Sequence, residues 1–122
     1  MRLELVIQGA KRSIWAVILP GDPPECPARK YIDGLTNITR QSLTAVMKQY
    51  ADLGHISNTQ KLRYLRDGIY EFKTRDGARL LFFLRADGRA ILTHGFRKAK
   101  KKVTDREIDR AIGMREELGG QQ

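Results

Sequence analysis

Apolar and polar side chains alternate most clearly over residues 69–96, where three short apolar runs are separated by tight polar turns. Both turns contain Asp-Gly, at 76–77 and 87–88, and this dipeptide suits the positive φ angles of hairpin turns. The pattern therefore predicts two consecutive antiparallel hairpins. The aromatic and aliphatic residues that favour a half-buried pleated surface here are Tyr70, Phe72, Leu80, Phe82, Phe83, Ile91 and Phe96.

The alternation also predicts what each face of these strands carries. In the middle run Leu80 and Phe82 point to one face, which we expect to be the core face, and Arg79 points to the other. Glu71 and Lys73 share a face of the preceding strand. Closing the first hairpin brings this pair near Arg79, so we expect a charged cluster on the sheet.

Two helices are predicted before the hairpins. Apolar residues at helical spacing indicate a short helix over residues 27–35 and a longer one over residues 39–53. Asn37 or Thr39 is suited to cap the start of the longer helix, and Gly54 is placed to stop it.

A last helix follows the hairpins. Residues 104–107 fit the Ser/Thr-x-x-Glu capping box, and apolar positions at helical spacing continue to Leu118. We expect residues 119–122 to fray.

The remaining segments predict secondary structure less clearly. Residues 13–19, SIWAVIL, are rich in β-branched residues and stop at a proline-rich turn, which predicts a strand. Residues 1–12 fit either a short strand or an extension before the domain. Residues 55–67 form a polar connection that is strand-like near 62–65.

In chain order the elements are strand, helix, helix, three strands and helix, which predicts a single α+β domain over residues 13–118. We expect an antiparallel sheet made of the N-terminal strand and a three-stranded meander. The two N-terminal helices pack on one face, and a C-terminal helix follows. This arrangement leaves the other face open to a ligand.

The net charge of +9 and a pI near 10.1 indicate a partner rich in phosphate or an acidic protein. A membrane surface is the competing explanation, but no run of about 18 apolar residues is present to span a bilayer. The single cysteine, Cys26, excludes a disulfide framework and a cysteine-based zinc site. The first residues lack the apolar region of a secretory signal, so we expect a cytoplasmic protein.

Two motifs flank the strand that carries Arg79. Residues 67–73, DGIYEFK, precede it, and residues 92–98, LTHGFRK, form the next strand. With the amphipathic last helix, this order resembles the RelE/HigB-type toxins of bacterial type II toxin–antitoxin systems. It is most similar to their phage-derived, HigB-like branch, over residues 15–118.

The resemblance implies a RelE-like fold and a ribosome-associated mRNA endonuclease, or mRNA interferase, that inhibits translation without a metal or other cofactor. It implies a cognate antitoxin as partner, mRNA on the ribosome as substrate, and a toxin–antitoxin hetero-oligomer that binds operator DNA through the antitoxin. No membrane partner is expected.

Cleavage of RNA requires groups that bind the scissile phosphate and move protons. Arg79 is the main candidate for phosphate contact, because guanidinium binds phosphate oxygens in pairs, and Lys73 is its neighbour. His94 is the natural proton-transfer candidate, and Glu71 is either a base or an ion-pair partner. His94 is alternatively a core histidine if it shares a face with Leu92 and Phe96. The candidates for contact with the RNA backbone are Arg97, Lys98, Lys100, Lys101, Lys102, Lys61 and Arg63.

Some of the resembled toxins carry a late tyrosine near the start of the last helix, whereas Val103 and Thr104 occupy that region here. Two function classes therefore stay open. One is the mRNA-cleaving toxin. The other is a non-catalytic binder of the same fold, either a gyrase-directed ParE-like toxin or a phage-derived nucleic-acid-binding protein.

Overall fold

A computed structural model describes residues 1–98, 103 and 105–119. Within these residues the chain forms six strands and three helices that build an α+β domain. In chain order they are β1 (Arg2–Gln8), β2 (Ser13–Ile18), α1 (Pro27–Asp33), α2 (Asn37–Leu53), β3 (Leu62–Arg66), β4 (Ile69–Lys73), β5 (Ala78–Leu84), β6 (Ala90–Arg97) and α3 (Asp105–Gly119).

The strands form one sheet in the order β1-β2-β6-β5-β4-β3. Four neighbouring pairs are antiparallel, but β2 and β6 run parallel, so the expected antiparallel sheet is in fact mixed. The reason is that α1 and α2 carry the chain from β2 to the far edge, where β3 begins. The meander then returns through β4 and β5, and its last strand has the direction of β2.

The meander has four strands, one more than predicted. The two expected hairpins are present, with Gly77 and Gly88 at φ 96° and 88° in their turns. A third hairpin joins β3 to β4 through Asp67-Gly68, and both of its turn residues have positive φ. The strand-like character predicted near residues 62–65 is thereby confirmed.

Both faces of the sheet are covered, so the expected open face is wrong. Leu80 and Phe82 point to α1 and α2, whereas Leu81 and Phe83 point to α3. The alternation of side chains along β5 was predicted correctly. The side chains on both faces of this strand are apolar, however, so both faces need to be buried. The residues of α3 that cover the second face are Ile108, Ala111, Met114 and Leu118.

The boundaries of α2 differ slightly from expectation. It begins at Asn37 because Thr36 is the N-cap, and the Thr36 side chain accepts a hydrogen bond from the Thr39 amide at 3.4 Å. Gly54 ends the helix in the left-handed conformation, at φ 77°, as predicted. The predicted capping box of the last helix includes Thr104, which lies outside the described residues, as do residues 120–122 of the predicted frayed tail.

Candidate nucleic-acid-binding site

A buried carboxylate surrounded by cations lies on the β3–β4–β5 part of the sheet. Glu71 on β4 is fully buried, and its oxygens lie 3.2 Å from Nε of Arg63 and 3.8 Å from Nε of Arg79. Strand register brings these residues together, because Arg63 pairs with Glu71 and Arg79 pairs with Lys73. We call Arg63, Glu71, Lys73 and Arg79 the Glu71 cluster; the expected approach of Glu71 and Lys73 to Arg79 is confirmed.

Several buried polar atoms of this cluster lack a hydrogen-bond partner. Among the described residues, neither carboxylate oxygen of Glu71 accepts a hydrogen bond, and Nε of Arg63 and of Arg79 donates none. The groups are close enough for charge attraction but are not aligned for hydrogen bonding. Buried polar groups are almost always satisfied in folded proteins. These atoms therefore have unused hydrogen-bonding capacity, but they do not reach solvent, so a ligand contacts them only after neighbouring side chains move.

Arg79 is more enclosed than the sequence indicated. We expected an exposed arginine on the sheet face, but only 6% of the residue is exposed. Its Nη1 donates to the carbonyl oxygens of Thr74 at 3.0 Å and Ala78 at 2.8 Å. The guanidinium therefore folds back on the β4–β5 turn, and contact with a phosphate would compete with these local bonds.

The pKa values of Glu71 and Lys73 are shifted in opposite directions. Burial raises the pKa of Glu71, and the nearby cations Arg63 and Arg79 oppose this effect. Burial lowers the pKa of Lys73, and the charge of Glu71 opposes that shift. Glu71 is thus a stronger base than an ordinary glutamate, and Lys73 is a stronger acid than an ordinary lysine. Lys73 Nζ also donates to the Thr59 carbonyl at 3.2 Å.

The other predicted phosphate-binding residues make separate contacts of their own. Lys98 contributes to the electrostatics of Glu71, and its amide donates to the Gly77 carbonyl at 2.8 Å. Arg97 is exposed and donates to the Asp76 carbonyl. Lys61 Nζ donates to the Gln49 side-chain oxygen at 3.1 Å. Three of the predicted cations, Lys100, Lys101 and Lys102, lie outside the described residues.

His94 contacts different residues from those of the Glu71 cluster. It is 1% exposed, with Nδ1 3.2 Å from the Thr93 hydroxyl and Nε2 3.4 Å from a carboxylate oxygen of Glu107 on α3. Burial lowers the pKa of His94, as does the charge of Arg110, whereas Glu107 raises it. Burial therefore favours the neutral imidazole, and Nε2 faces Glu107 on α3 without a hydrogen bond among the described residues.

The expected shared face of His94, Leu92 and Phe96 is wrong. Leu80 pairs with Gly95 and Phe82 with Leu92, so two residues of β6 oppose the single residue between Leu80 and Phe82. This bulge shifts the alternation by one. Leu92 packs toward α1 and α2, and His94 lies with Phe96 on the α3 side. His55, on the polar loop after α2, is exposed.

Tyr31 was missed by the sequence reasoning. Its hydroxyl donates to the Phe96 carbonyl at 2.9 Å and accepts from the Arg79 amide at 3.4 Å, so it fixes β5 and β6 beside the cluster. The approach depends on Gly95, since a Cβ there would lie 2.0 Å from the Tyr31 ring. A glycine inside a strand was the available signal for this contact.

Neither a metal site nor a membrane span is found in the part of the chain that the structure describes. There, no group of three or more His, Cys, Asp or Glu side chains is arranged to hold a metal ion. None of the described helices has the length and apolar character needed to cross a bilayer.

Comparison with known proteins gives one family. The model of the family described as Phage derived protein Gp49-like (DUF891) matches residues 30–116, well over half of the chain. The matched range includes the whole Glu71 cluster and most of α3. No curated protein matches the chain.

Proposed function

Because the chain belongs to the Gp49-like family of phage-derived proteins, which is associated with toxin–antitoxin systems, we propose that it is the toxin of a type II module and cleaves mRNA on the ribosome. In this proposal the protein acts in the cytoplasm. Its partner is a cognate antitoxin that covers the basic face, and the resulting hetero-oligomer binds operator DNA through the antitoxin.

The observation that carries the proposal is the buried carboxylate of Glu71, surrounded by cations and lacking hydrogen bonds. These oxygens do not reach solvent in the free protein, so in this proposal neighbouring side chains such as that of Arg63 move when RNA binds, and a ribose 2′-hydroxyl then donates to the carboxylate. Arg63, with 38% of its side chain exposed, is the arginine of the cluster that reaches solvent, where it binds the phosphate. Arg79 adds positive charge behind it.

The cluster has the parts needed for cleavage by the 2′-hydroxyl. Glu71 takes the proton from the 2′-hydroxyl, the 2′-oxygen attacks phosphorus, and the bond from phosphorus to the 5′-oxygen breaks. Lys73 gives its proton to the departing 5′-oxygen. The products are a 2′,3′-cyclic phosphate and a 5′-hydroxyl end. The pKa shifts of Glu71 and Lys73 both favour these roles.

The remaining candidates have supporting roles in the proposal. His94 is a positioning residue that holds α3 against β6, because its imidazole is buried and faces Glu107. The other cations bind the backbone of the mRNA or of ribosomal RNA, which draws the toxin to the ribosome and sets its orientation. They are Arg97, Lys98, Lys100, Lys101, Lys102 and Lys61.

Primer extension on cellular mRNA after induction tests this function. We expect new 5′ ends inside translated messages in cells that express the wild-type chain, and none in cells that express Lys73→Ala. Lys48→Ala is the matched control, because Lys48 is an exposed lysine of α2 whose ion-pair partner is Asp52. Growth inhibition without new mRNA ends would contradict the proposal.

The burial of both Glu71 and His94 favours a second candidate, a non-catalytic binder of the same fold. In that case the basic face holds a macromolecular target such as gyrase, and no mRNA bond is broken. The same induction experiment separates the two, because gyrase poisoning leaves protein-linked DNA breaks and intact messages.

A further inference from the structure

A groove of about 600 Å³ lies between α2 and the β4–β5 turn. One wall is formed by α2, including the exposed Ile38 and the buried Val46, and the other includes the loop at residues 58–61. Lys73 lines the groove and also belongs to the Glu71 cluster. The groove lies on the α2 side of the sheet, with Phe72, whereas the side chain of Glu71 lies on the α3 side with Leu81, and Lys73 at the end of β4 is the residue that the two share.

The polar side chains of the groove offer mainly hydrogen-bond donors, because their acceptor oxygens are already occupied. The side-chain oxygen of Gln49 is occupied by Lys61 Nζ at 3.1 Å, and that of Asn58 by the Gln60 amide at 2.9 Å. Both side chains keep their NH₂ groups, for which no partner is found among the described residues. With the ammonium group of Lys61, these donors make a patch that suits a ligand edge rich in acceptors.

The groove also has apolar surface. Ile38, in the first turn of α2, is 78% exposed although it is a large aliphatic residue. Arg75 lies in the opposite wall and is also exposed. An aliphatic side chain and a planar guanidinium are surfaces on which an unpaired base packs.

We propose that this groove is a nucleobase subsite that takes a guanine of the RNA strand that contacts Lys73 at the edge of the sheet. The inference rests on the proposed function. Recognition of single-stranded RNA places an unstacked base in such a pocket and reads its edge with side-chain donors and acceptors. Guanine fits better than adenine, because its O6 and N7 are both acceptors whereas adenine pairs its N7 acceptor with an N6 donor, and its purine ring offers more surface for packing on Ile38 and Arg75 than a pyrimidine does.

Titration with single nucleotides tests the subsite directly. ¹⁵N-labelled protein is titrated with the 3′-monophosphates of guanosine, adenosine, cytidine and uridine, and with ribose 5-phosphate, while backbone and side-chain amide signals are followed. We expect the guanosine nucleotide to bind about 5- to 100-fold more tightly than the others. We also expect it to shift the side-chain amides of Gln49 and Asn58.

Variants assign the discrimination to the groove. Gln49→Leu and, separately, Asn58→Ala should reduce the preference for guanosine and leave the affinity for ribose phosphate unchanged. Gln41→Leu is the matched control, because Gln41 lies on α2 outside the groove and is exposed. Since Asn58 is an exposed loop residue, its variant gives a readout even if Gln49→Leu fails to fold.

The outcomes separate the subsite from the proposed function. Equal binding of all four nucleotides, with shifts confined to the Glu71 cluster, overturns the subsite and leaves the proposed function standing. A guanosine preference that both variants retain also overturns the subsite. An absence of shifts at both places, with every nucleotide, counts against both proposals.

Discussion

The carboxylate of Glu71 and the guanidinium of Arg79 lie 3.8 Å apart on adjacent strands, and both are almost completely withdrawn from solvent. Ions of opposite charge that are buried together depend on each other, because removing one leaves the other with its full desolvation penalty. Glu71 is also the base of the proposed cleavage, and Arg79 adds positive charge near the bound phosphate. Folding and activity are therefore coupled at this pair, and experiments must measure both.

Arg79→Ala should destabilise the protein by about 1 to 3 kcal/mol, because Glu71 keeps Arg63 at 3.2 Å but the carbonyl oxygens of Thr74 and Ala78 lose their buried donor. Urea unfolding at neutral pH measures this loss. Arg75→Ala is the control, since Arg75 is exposed in the β4–β5 turn, and it should change stability by less than about 0.5 kcal/mol. A fully stable Arg79→Ala variant would show that Glu71 does not depend on this partner.

The rate of RNA cleavage should follow a bell-shaped pH profile. Its acidic limb reports Glu71, which must be deprotonated, and lies above the usual carboxyl value of about 4.3 because burial raises the pKa. Its alkaline limb reports Lys73, which must be protonated, and lies below about 10.4 because burial lowers the pKa. Single-turnover rates from pH 5 to 10 provide the profile.

Glu71→Gln distinguishes catalysis by this carboxyl from a purely structural role. The pH profile of this variant should lose its acidic limb, and the variant should cleave RNA at least about 100-fold more slowly than the wild type. Its circular dichroism and unfolding transition are measured alongside, so that a loss of folded protein is not counted as a loss of chemistry. A variant that cleaves at the wild-type rate with the acidic limb intact would remove Glu71 from the proton transfer.

His94 should make the fold sensitive to acid. Its folded-state pKa is lowered, chiefly by burial, so the unfolded chain binds the proton more readily. The stability it provides is complete above the unfolded value of about 6.5 and is lost as the pH falls through the lowered folded-state pKa. Melting temperatures of the wild type, His94→Gln and the control His55→Gln, compared at pH 7.5 and pH 5, should show a smaller acid loss only in His94→Gln.

Activity measurements complete the test of His94. If it is a positioning residue, His94→Gln costs about 1 to 3 kcal/mol of stability, and cleavage falls only with the folded fraction. A 100-fold loss of cleavage in fully folded His94→Gln would instead assign the proton transfer to the imidazole.

RNA binding should weaken steeply with salt, because the proposed contacts are cations on phosphates. Each phosphate contact with single-stranded RNA contributes about 0.7 to the slope of log affinity against log salt. Lys98→Ala should therefore reduce the slope by about 0.7, and the control Lys48→Ala should leave it unchanged. Fluorescence anisotropy between 50 and 200 mM salt measures the slope. An affinity that does not depend on salt would point to stacking or apolar contact instead.

Local patterns predicted much of the fold. The Asp-Gly turns at 76–77 and 87–88 gave two hairpins, and the apolar stripe of α2 gave its extent to within two residues. The parallel pairing of β2 with β6 could not be predicted, because it joins segments about 75 residues apart that share no local signal. Leu81 and Phe83 already indicated that both faces of the sheet are covered, because they are apolar residues on the face that was expected to be open.

The candidate site was predictable in part for the same reason. Alternation placed Glu71, Lys73 and Arg79 together, since neighbouring strands of a hairpin are fixed by their turn. It could not reveal that Arg79 folds back on the Thr74 carbonyl, because a charged residue on a strand is by default expected to be exposed. Nor could it reveal the bulge at His94, because the extra residue breaks the period-two pattern.

The most direct measurement is single-turnover cleavage of a defined mRNA in a reconstituted translation system with purified ribosomes. The account predicts cleavage of the ribosome-bound message, products with 2′,3′-cyclic phosphate and 5′-hydroxyl ends, and a rate that falls about 100-fold or more in Lys73→Ala but not in Lys48→Ala. Translation that stops while the message stays intact would contradict it, as would cleavage at the wild-type rate by folded Lys73→Ala protein.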